Sequence, residues 1–489
     1  MSNQRTRHAS GKKLNMLFAW ILCEGKKLLS TTSWRIDMMM KALTVIAFSL
    51  AATMASAQDE PAQTLFTNVN VFDGVNDGLL ENANVLVEGN LIKTVSTAAI
   101  NAGGATVING DGRTLMPGLM DMHTHLSIVR ELSTARHELS PLAHGAIAMK
   151  RAEGMLMNGF TTVMDVGGPA TYLKDLIDGD AGFFGPRIYS AEAFITQTNG
   201  HGDFRTRMEY NPNNSGGIRS WYEYYTACIA DGVTEIRRCG RENFRKGATH
   251  LKMMVGGGVS SRFDPLHGLQ GSPEEIAAAV EVARNMKTFV TVHAYTDESV
   301  RMAVEAGVPH ILHAPLITEE TAKLMGEKGV YMQPNLEAVL GLSEENAAAF
   351  LSPASFAKWK SIYDEYPVAM EAALKHGVKI VFGTDLLAEW NQTLGFDKTA
   401  ALELLQLEKY LGSAGALRAA TSTAAEIIDL MGPNNPYTAG ALGVVEEGAY
   451  ADLLLVDGNV LEDLALLTDP GKNLVVIMKD GVIYKNTLN

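Results

Sequence analysis

Cysteine is scarce: the 489-residue chain has three. That excludes a small scaffold built from disulfides. Cys23 lies near the start, which leaves Cys228 and Cys239 for the body. In an exported protein these two could pair, but two in so long a chain equally suit buried free thiols, and only the Cα separation decides. No Cys-x-x-Cys occurs, which argues against a thiolate zinc site. Basic charge is also in deficit. A formal charge of −14 speaks against nucleic acid and other polyanions as partners, because phosphates call for surplus Lys and Arg. Nor does any apolar run reach the roughly 20 residues that span a bilayer.

What is present reads as a globular protein. With 46% hydrophobic and 20% charged residues, the chain is long enough for one large domain and a smaller satellite. Charge is unevenly spread: residues 1–57 hold eight Lys/Arg against Glu24 and Asp37, a net of +6 that leaves −20 on the remainder. Lys41, the apolar stretch Ala42–Ala52 and the small residues Ala55-Ser56-Ala57 form the three parts of a secretory signal peptide. The expected start is Met38, Met39 or Met40, with the preceding residues an over-extended gene start. Cleavage is expected after Ala57. The expected compartment is secreted or periplasmic, with no stable membrane insertion once the leader is removed.

From Thr64 to Thr114, and again from Ala451 to Tyr484, short strand-like runs alternate with turn residues such as Asp73-Gly74 and Asp480-Gly481. Two β-rich ends around a different middle predict a small β-sandwich built from residues 61–117 and 437–489. Residues 118–436 instead alternate apolar strands with helical stretches such as Pro273–Met286, the pattern of βαβ units. The strand candidates are Gly118–His123, Thr161–Asp165, Arg187–Ala191, His250–Val255, Phe289–His293, His310–His313, Val330–Pro334 and Lys379–Gly383. Eight such strands with intervening helices predict an α/β fold, a (β/α)8 TIM barrel, whose chemistry sits at the carboxyl ends of the strands.

Those ends carry metal-binding residue types. Strand one ends in Asp121-Met122-His123-Thr124-His125, and a period of two puts both histidines on one face, able to reach one metal. Lys252 ends strand four, His293-Ala294-Tyr295 strand five, His313 strand six and Gly383-Thr384-Asp385 strand eight. Neutral imidazoles with a carboxylate suit zinc and similar divalent ions. Each residue alone is weak, since a lone buried histidine is more often a hydrogen-bonded core residue, and a lysine a surface charge. Six of them at the same end of five strands are hard to attribute to packing.

The run Pro117–His125, with Gly383-Thr384-Asp385 and the β-rich ends, resembles the amidohydrolase superfamily from about Thr64 onward. Gly159–Asp165, Thr198-Asn199-Gly200-His201-Gly202-Asp203, Leu251–Met254 and His293-Ala294-Tyr295 resemble its Xaa-Pro dipeptidase and ochratoxin amidohydrolase branch, related to the imidazolonepropionase-like proteins. The resemblance implies two divalent metal ions, with zinc expected. His123, His125 and Asp385 would hold one and His293 with His313 the other. Lys252 would be carboxylated and bridge both, since a carbamate offers two anionic oxygens to metals about 3.5–4 Å apart and an ammonium offers none. A hydroxide between the metals would attack, with Asp385 moving its proton. His201 would polarise the scissile carbonyl and Tyr295 bind the substrate α-carboxylate. The segment Asn335–Leu342, mostly apolar with Glu337 standing against it, would line the pocket for the C-terminal residue and favour proline, phenylalanine or leucine over lysine or arginine.

The implied activity is cleavage of an amide bond beside a free α-carboxylate, in Xaa-Pro-like dipeptides, N-acyl amino acids or ochratoxin-type amides, by a homo-oligomer. Two readings stand beside it. One is a cyclic amide hydrolase or a mononuclear deaminase on the same scaffold; Lys252 argues against the deaminase, because only a bridged metal pair needs it. The other is a non-catalytic homologue, which would have lost ligands that are all present here.

Overall fold

The computed structural model describes residues 61–129, 139–179, 181–209, 225–385 and 400–488. The expected leader, with its signal peptide and Cys23, lies outside the described residues. Among those described, the chain opens with β1 (Gln63–Val71), β2 (Leu80–Glu88), β3 (Leu91–Ser96), β4 (Thr106–Asn109) and β5 (Thr114–Pro117). The middle holds β6 (Leu119–Thr124), β7 (Phe160–Asp165), β8 (Arg187–Ser190), β9 (Phe194–Thr196), β10 (Ala227–Ile229), β11 (Leu251–Met254), β12 (Val290–Thr296), β13 (His310–Leu316), β14 (Tyr331–Gln333) and β15 (Lys379–Ile380). Then come β16 (Leu453–Val456), β17 (Leu474–Lys479) and β18 (Val482–Asn486).

The two β-rich ends meet in one eight-stranded sheet, ordered β18-β17-β16-β5-β1-β2-β3 with β4 beside β1. The sequence predicts a sandwich; the ladders run as a single sheet. β16 pairs antiparallel with β5, Leu455 opposite Leu115, and so joins the ends. Phe66, Val85, Leu115, Leu455 and Val476 form its apolar core. Asp480 (φ 53°) and Gly481 (φ 71°) turn β17 into β18, a two-residue hairpin whose left-handed backbone suits Asp-Gly.

The middle strands are parallel and buried on both faces, as parallel strands under helices are. The helix Pro273–Asn285 covers β11 and β12 and starts at a capping box of Ser272 and Glu275, a cap that contributes about 1 kcal/mol. Two separate ladders appear, β6-β7-β8 and β10-β9-β11-β12-β13-β14-β15. No continuous ladder closes them into a ring among the described residues. Backbone hydrogen bonds do cross both seams, from Thr249 N to Ser190 O at 2.8 Å and from Met122 N to Phe382 O at 3.1 Å. The break in the third passage has a local cause. Glu192 sits at φ 58°, so the chain bends after β8 and resumes as β9, which pairs with β11 rather than β7. The three-residue strands β9 and β10 were not expected. Cys228 in β10 is bonded to Cys239 of the helix Val233–Lys246, with Cα atoms 6.0 Å apart. Arg187, fully buried at the start of β8, reaches Asp452 and Asp480 and ties the parallel strands to the terminal sheet.

Candidate metal centre and active site

Along β6 the faces alternate. Met120 and Met122 belong to the apolar cluster of Ile427 and Ile428, while Asp121 and His123 face the other way with His125 beyond them. His123 and His125 place Nε2 at 3.2 and 3.4 Å from Asp385 Oδ1, and ligand atoms of these three residues lie within 4.8 Å of one another. Asp385 arrives by a tight approach. A Cβ on Gly383 would stand 2.4 Å from the Gln333 side-chain nitrogen and 2.8 Å from His123 Cβ. Asp385 itself has φ 51°, an uncommon conformation outside glycine that concentrates at functional sites.

The hydrogen bonds around the rings test whether a cation fits. Gln333 Nε2 donates to Gly383 O at 2.7 Å, which turns Gln333 Oε1 toward His123 Nδ1 at 2.8 Å. His125 Nδ1 faces the Gly167 carbonyl at 3.2 Å. Both partners only accept, so each ring carries its proton on Nδ1 and presents a bare Nε2. Two lone pairs and a carboxylate oxygen thus converge, an arrangement that repels itself unless a cation sits among them. A divalent ion fits. Burial, with Lys252 and His125 nearby, holds His123 well below the usual imidazole value. Burial pulls the Asp385 carboxyl up, but His125 and His313 outweigh it and hold it low.

Lys252, His293 and His313 lie beside this compact trio rather than in it. The His313 ring is 5.3 Å from that of His123 and 4.6 Å from that of His293, so it links the two groups. In an unbroken strand His313 would face away from His293's side, because its partner there is Ala294. Positive φ at His313 (73°) and Ala314 (56°) breaks the alternation and turns the ring inward. His293 Nε2 lies 3.2 Å from Gly257 O, which leaves Nδ1 bare. Lys252 is 1% exposed and has no ion-pair partner among the described residues. Burial pushes its amine down to about 7, Asp385 opposing.

His201 follows β9, which lies beyond the expected third strand Arg187–Ala191. Its ring stacks on His293 at 4.0 Å, and its Nδ1 meets Ser261 Oγ at 2.7 Å. Tyr295 packs on the same pair, 4.7 Å from His293 and 4.8 Å from His313, and burial raises its phenol. In the segment after β14, Leu336 and Val339 are buried, and the Glu337 carboxyl takes a hydrogen bond from Gln406 at 2.7 Å. Sequence reading did not single out three supports. Gln333 orients His123. Asp165 accepts from Leu126 N at 2.7 Å and Gly167 N at 3.0 Å, which fixes the turn bearing His125; burial pushes its carboxyl up to about 7. Asp121 accepts from Thr384 and from the His123 amide, which joins the first and last strand ends. A polar residue inside a run read as a buried strand is the signal that could have found Asp165 and Gln333.

The sequence model of the amidohydrolase family matches residues 114–484. The chain belongs to this family. Ochratoxinase of Aspergillus niger is 32% identical to this amidohydrolase over 378 residues, 76% of this chain and 75% of that enzyme. A prolidase solved with N-methylphosphonate-L-proline superposes with a TM-score of 0.78 at 33% identity, over 87% of this chain and all of the other. A Xaa-Pro dipeptidase with bound methionine does so with a TM-score of 0.73 at 29% identity, over 87% of this chain and 100% of that one. This amidohydrolase is accordingly a hydrolase of carbon–nitrogen bonds in small amide or dipeptide substrates, in the branch of ochratoxinase and the prolidases.

Proposed function

We propose that the chain is an exported, binuclear metal-dependent amidohydrolase on a (β/α)8 barrel that cleaves an amide bond beside a free α-carboxylate. Its substrates would be Xaa-Pro-like dipeptides, N-acyl amino acids or ochratoxin-type amides. The observation that carries the reading is the convergence of His123, His125 and Asp385, three acceptors whose tautomers and backbone are fixed for a cation. His123, His125 and Asp385 would hold one ion, His293 and His313 the second, and a carboxylated Lys252 both. Zinc suits imidazole with carboxylate. When bound, such ions polarise a carbonyl and make water nucleophilic at neutral pH.

The chain's own groups do the rest. Asp385 Oδ takes the proton of the attacking water and passes it to the leaving nitrogen. His201, its Nδ1 edge held against Ser261, turns an Nε2–H to the carbonyl oxygen where charge develops. The Tyr295 hydroxyl donates to the α-carboxylate, and the apolar segment after β14 receives the C-terminal side chain. Residues 118–436 would form the catalytic part, residues 61–117 with 437–489 the satellite, and the enzyme a homo-oligomer. The Cys228–Cys239 bridge supports export, because such bonds persist in oxidising compartments.

A panel of dipeptides and N-acyl amino acids, assayed with zinc-loaded protein, tests the reading. Turnover of at least one amide bearing a free α-carboxylate is expected. Turnover of a cyclic amide with none of that panel would overturn it.

A further inference from the structure

One buried ion pair near the site is used by none of the roles above. The loop that follows β11 folds over the His201 ring. Ser261 Oγ lies 2.7 Å from His201 Nδ1 and 3.1 Å from Gly258 O. Asp264 Oδ2 lies 3.6 Å from the same Nδ1, and accepts from Gly258 N at 3.1 Å and Gln270 Nε2 at 3.2 Å. Gln270 Oε1 in turn accepts from the His201 amide at 2.7 Å. Lys358 enters from the other side, on the helix Pro353–Tyr363 beyond β14. Its Nζ donates to Gly258 O at 2.8 Å and Ser261 O at 3.0 Å and stands 3.7 Å from Asp264 Oδ1. The Asp264 side chain is 1% exposed and that of Lys358 13%.

Burying such a pair costs several kcal/mol of desolvation per ion, so it is weak evidence for stability and stronger evidence for a positional role. The loop also leaves no slack. A Cβ on Gly258 would stand 2.2 Å from His201 Cε1 and 2.4 Å from Nδ1, so the imidazole occupies the space of the missing side chain.

We infer that Asp264 and Lys358 are positioning residues for His201, holding its Nδ1 edge on the loop so that Nε2 faces the reacting carbonyl. Through Lys358, the helix Pro353–Tyr363, whose Trp359 Nε1 donates to Val339 O at 3.2 Å in the segment after β14, is clipped to the group that polarises the carbonyl. The inference rests on the role given to His201 above. A ring held on one edge by Ser261 and Asp264 and on one face by His293 needs no reorganisation when charge develops, which is the condition for strong transition-state stabilisation.

Steady-state kinetics of zinc-loaded enzyme on Ala-Pro and N-acetyl-L-phenylalanine test this, using whichever the wild type turns over. Lys358→Met should lower kcat about 10–100-fold, the usual cost of losing an orienting partner, with KM, zinc content and circular dichroism unchanged. Lys358→Arg should recover most of the loss. In a His201→Asn background Lys358→Met should cost nothing further, since the ring it positions is gone. An equal loss in both backgrounds, or an unchanged kcat in Lys358→Met, would overturn the inference. If Lys358→Met does not fold, Ser261→Ala, which removes only the neutral partner at Nδ1, carries the same expectation and the same two ways to fail. Failure of the underlying role shows separately, as a near-wild-type kcat in His201→Asn alone.

Discussion

Both ends of the parallel strands hold buried histidines, and the two ends are built differently. At the carboxyl end, the Nδ1 atoms of His123 and His125 meet acceptors that cannot donate, and their Nε2 atoms converge on Asp385. At the amino end, His250 precedes β11 and His310 opens β13. Each sets Nδ1 against a threonine hydroxyl, Thr249 at 3.1 Å and Thr291 at 3.0 Å. Their Nε2 atoms are buried with no hydrogen-bond partner, and no carboxylate pairs with either among the described residues. Burial lowers the pKa at both ends. A depressed, buried histidine is therefore no mark of a metal ligand. What distinguishes the proposed ligand end is an acceptor that fixes the tautomer and a carboxylate that draws the bare nitrogens together.

The sharpest way to break this contrast is at Asp385. Asp385→Asn should keep the fold by circular dichroism and lower kcat by about 10²–10⁴-fold, the range for a lost general base. His310→Leu should leave kcat and zinc content at wild-type values. A near-wild-type rate in Asp385→Asn would remove the proton-moving role, and zinc loss in His310→Leu would erase the difference between the ends. A smaller effect is expected one shell out. Gln333→Leu leaves every proposed ligand in place but frees His123 Nδ1, and zinc affinity measured by chelator competition should weaken about 10–100-fold. Unchanged affinity would mean that the tautomer is fixed by something else.

The same contrast explains what the sequence could and could not show. His123, His125 and Asp385 were legible because period-two alternation and strand ends are written locally. His313 was legible as a position but not as a direction: alternation alone points it away from His293, and only the left-handed backbone at His313 and Ala314 turns it back. The bend at Glu192 leaves no mark either, since nothing in a glutamate announces a positive φ. β9 and β10 are too short to carry a period, so the sequence does not show that His201 follows β9. Asp264 and Lys358 come together only through tertiary structure, from a loop after β11 and a helix beyond β14. The terminal strands were readable one by one, while their union in a single sheet depends on the pairing of β16 with β5, which no local pattern encodes.

Acid stability offers the finest test. Burial, with Lys252 nearby, pushes both His250 and His310 down to about 3, against about 6.5 in an unfolded chain. Below pH 6.5 the unfolded state binds protons that the folded state refuses, so stability is lost as pH falls toward 3, by about 1.4 kcal/mol per pH unit for each ring. Above pH 6.5 neither ring contributes a slope. The proposed ligand histidines share this direction, but theirs is entangled with metal release, whereas burial acts on the amino-end pair with or without metal. Urea unfolding of wild type and of His250→Leu/His310→Leu between pH 6 and 4.5 should therefore give a shallower slope in the double variant, in zinc-loaded and chelated protein alike. Identical slopes would mean that the orphaned Nε2 atoms take up protons in the folded state. The two ends would then differ in their charge as well as in their hydrogen-bond partners.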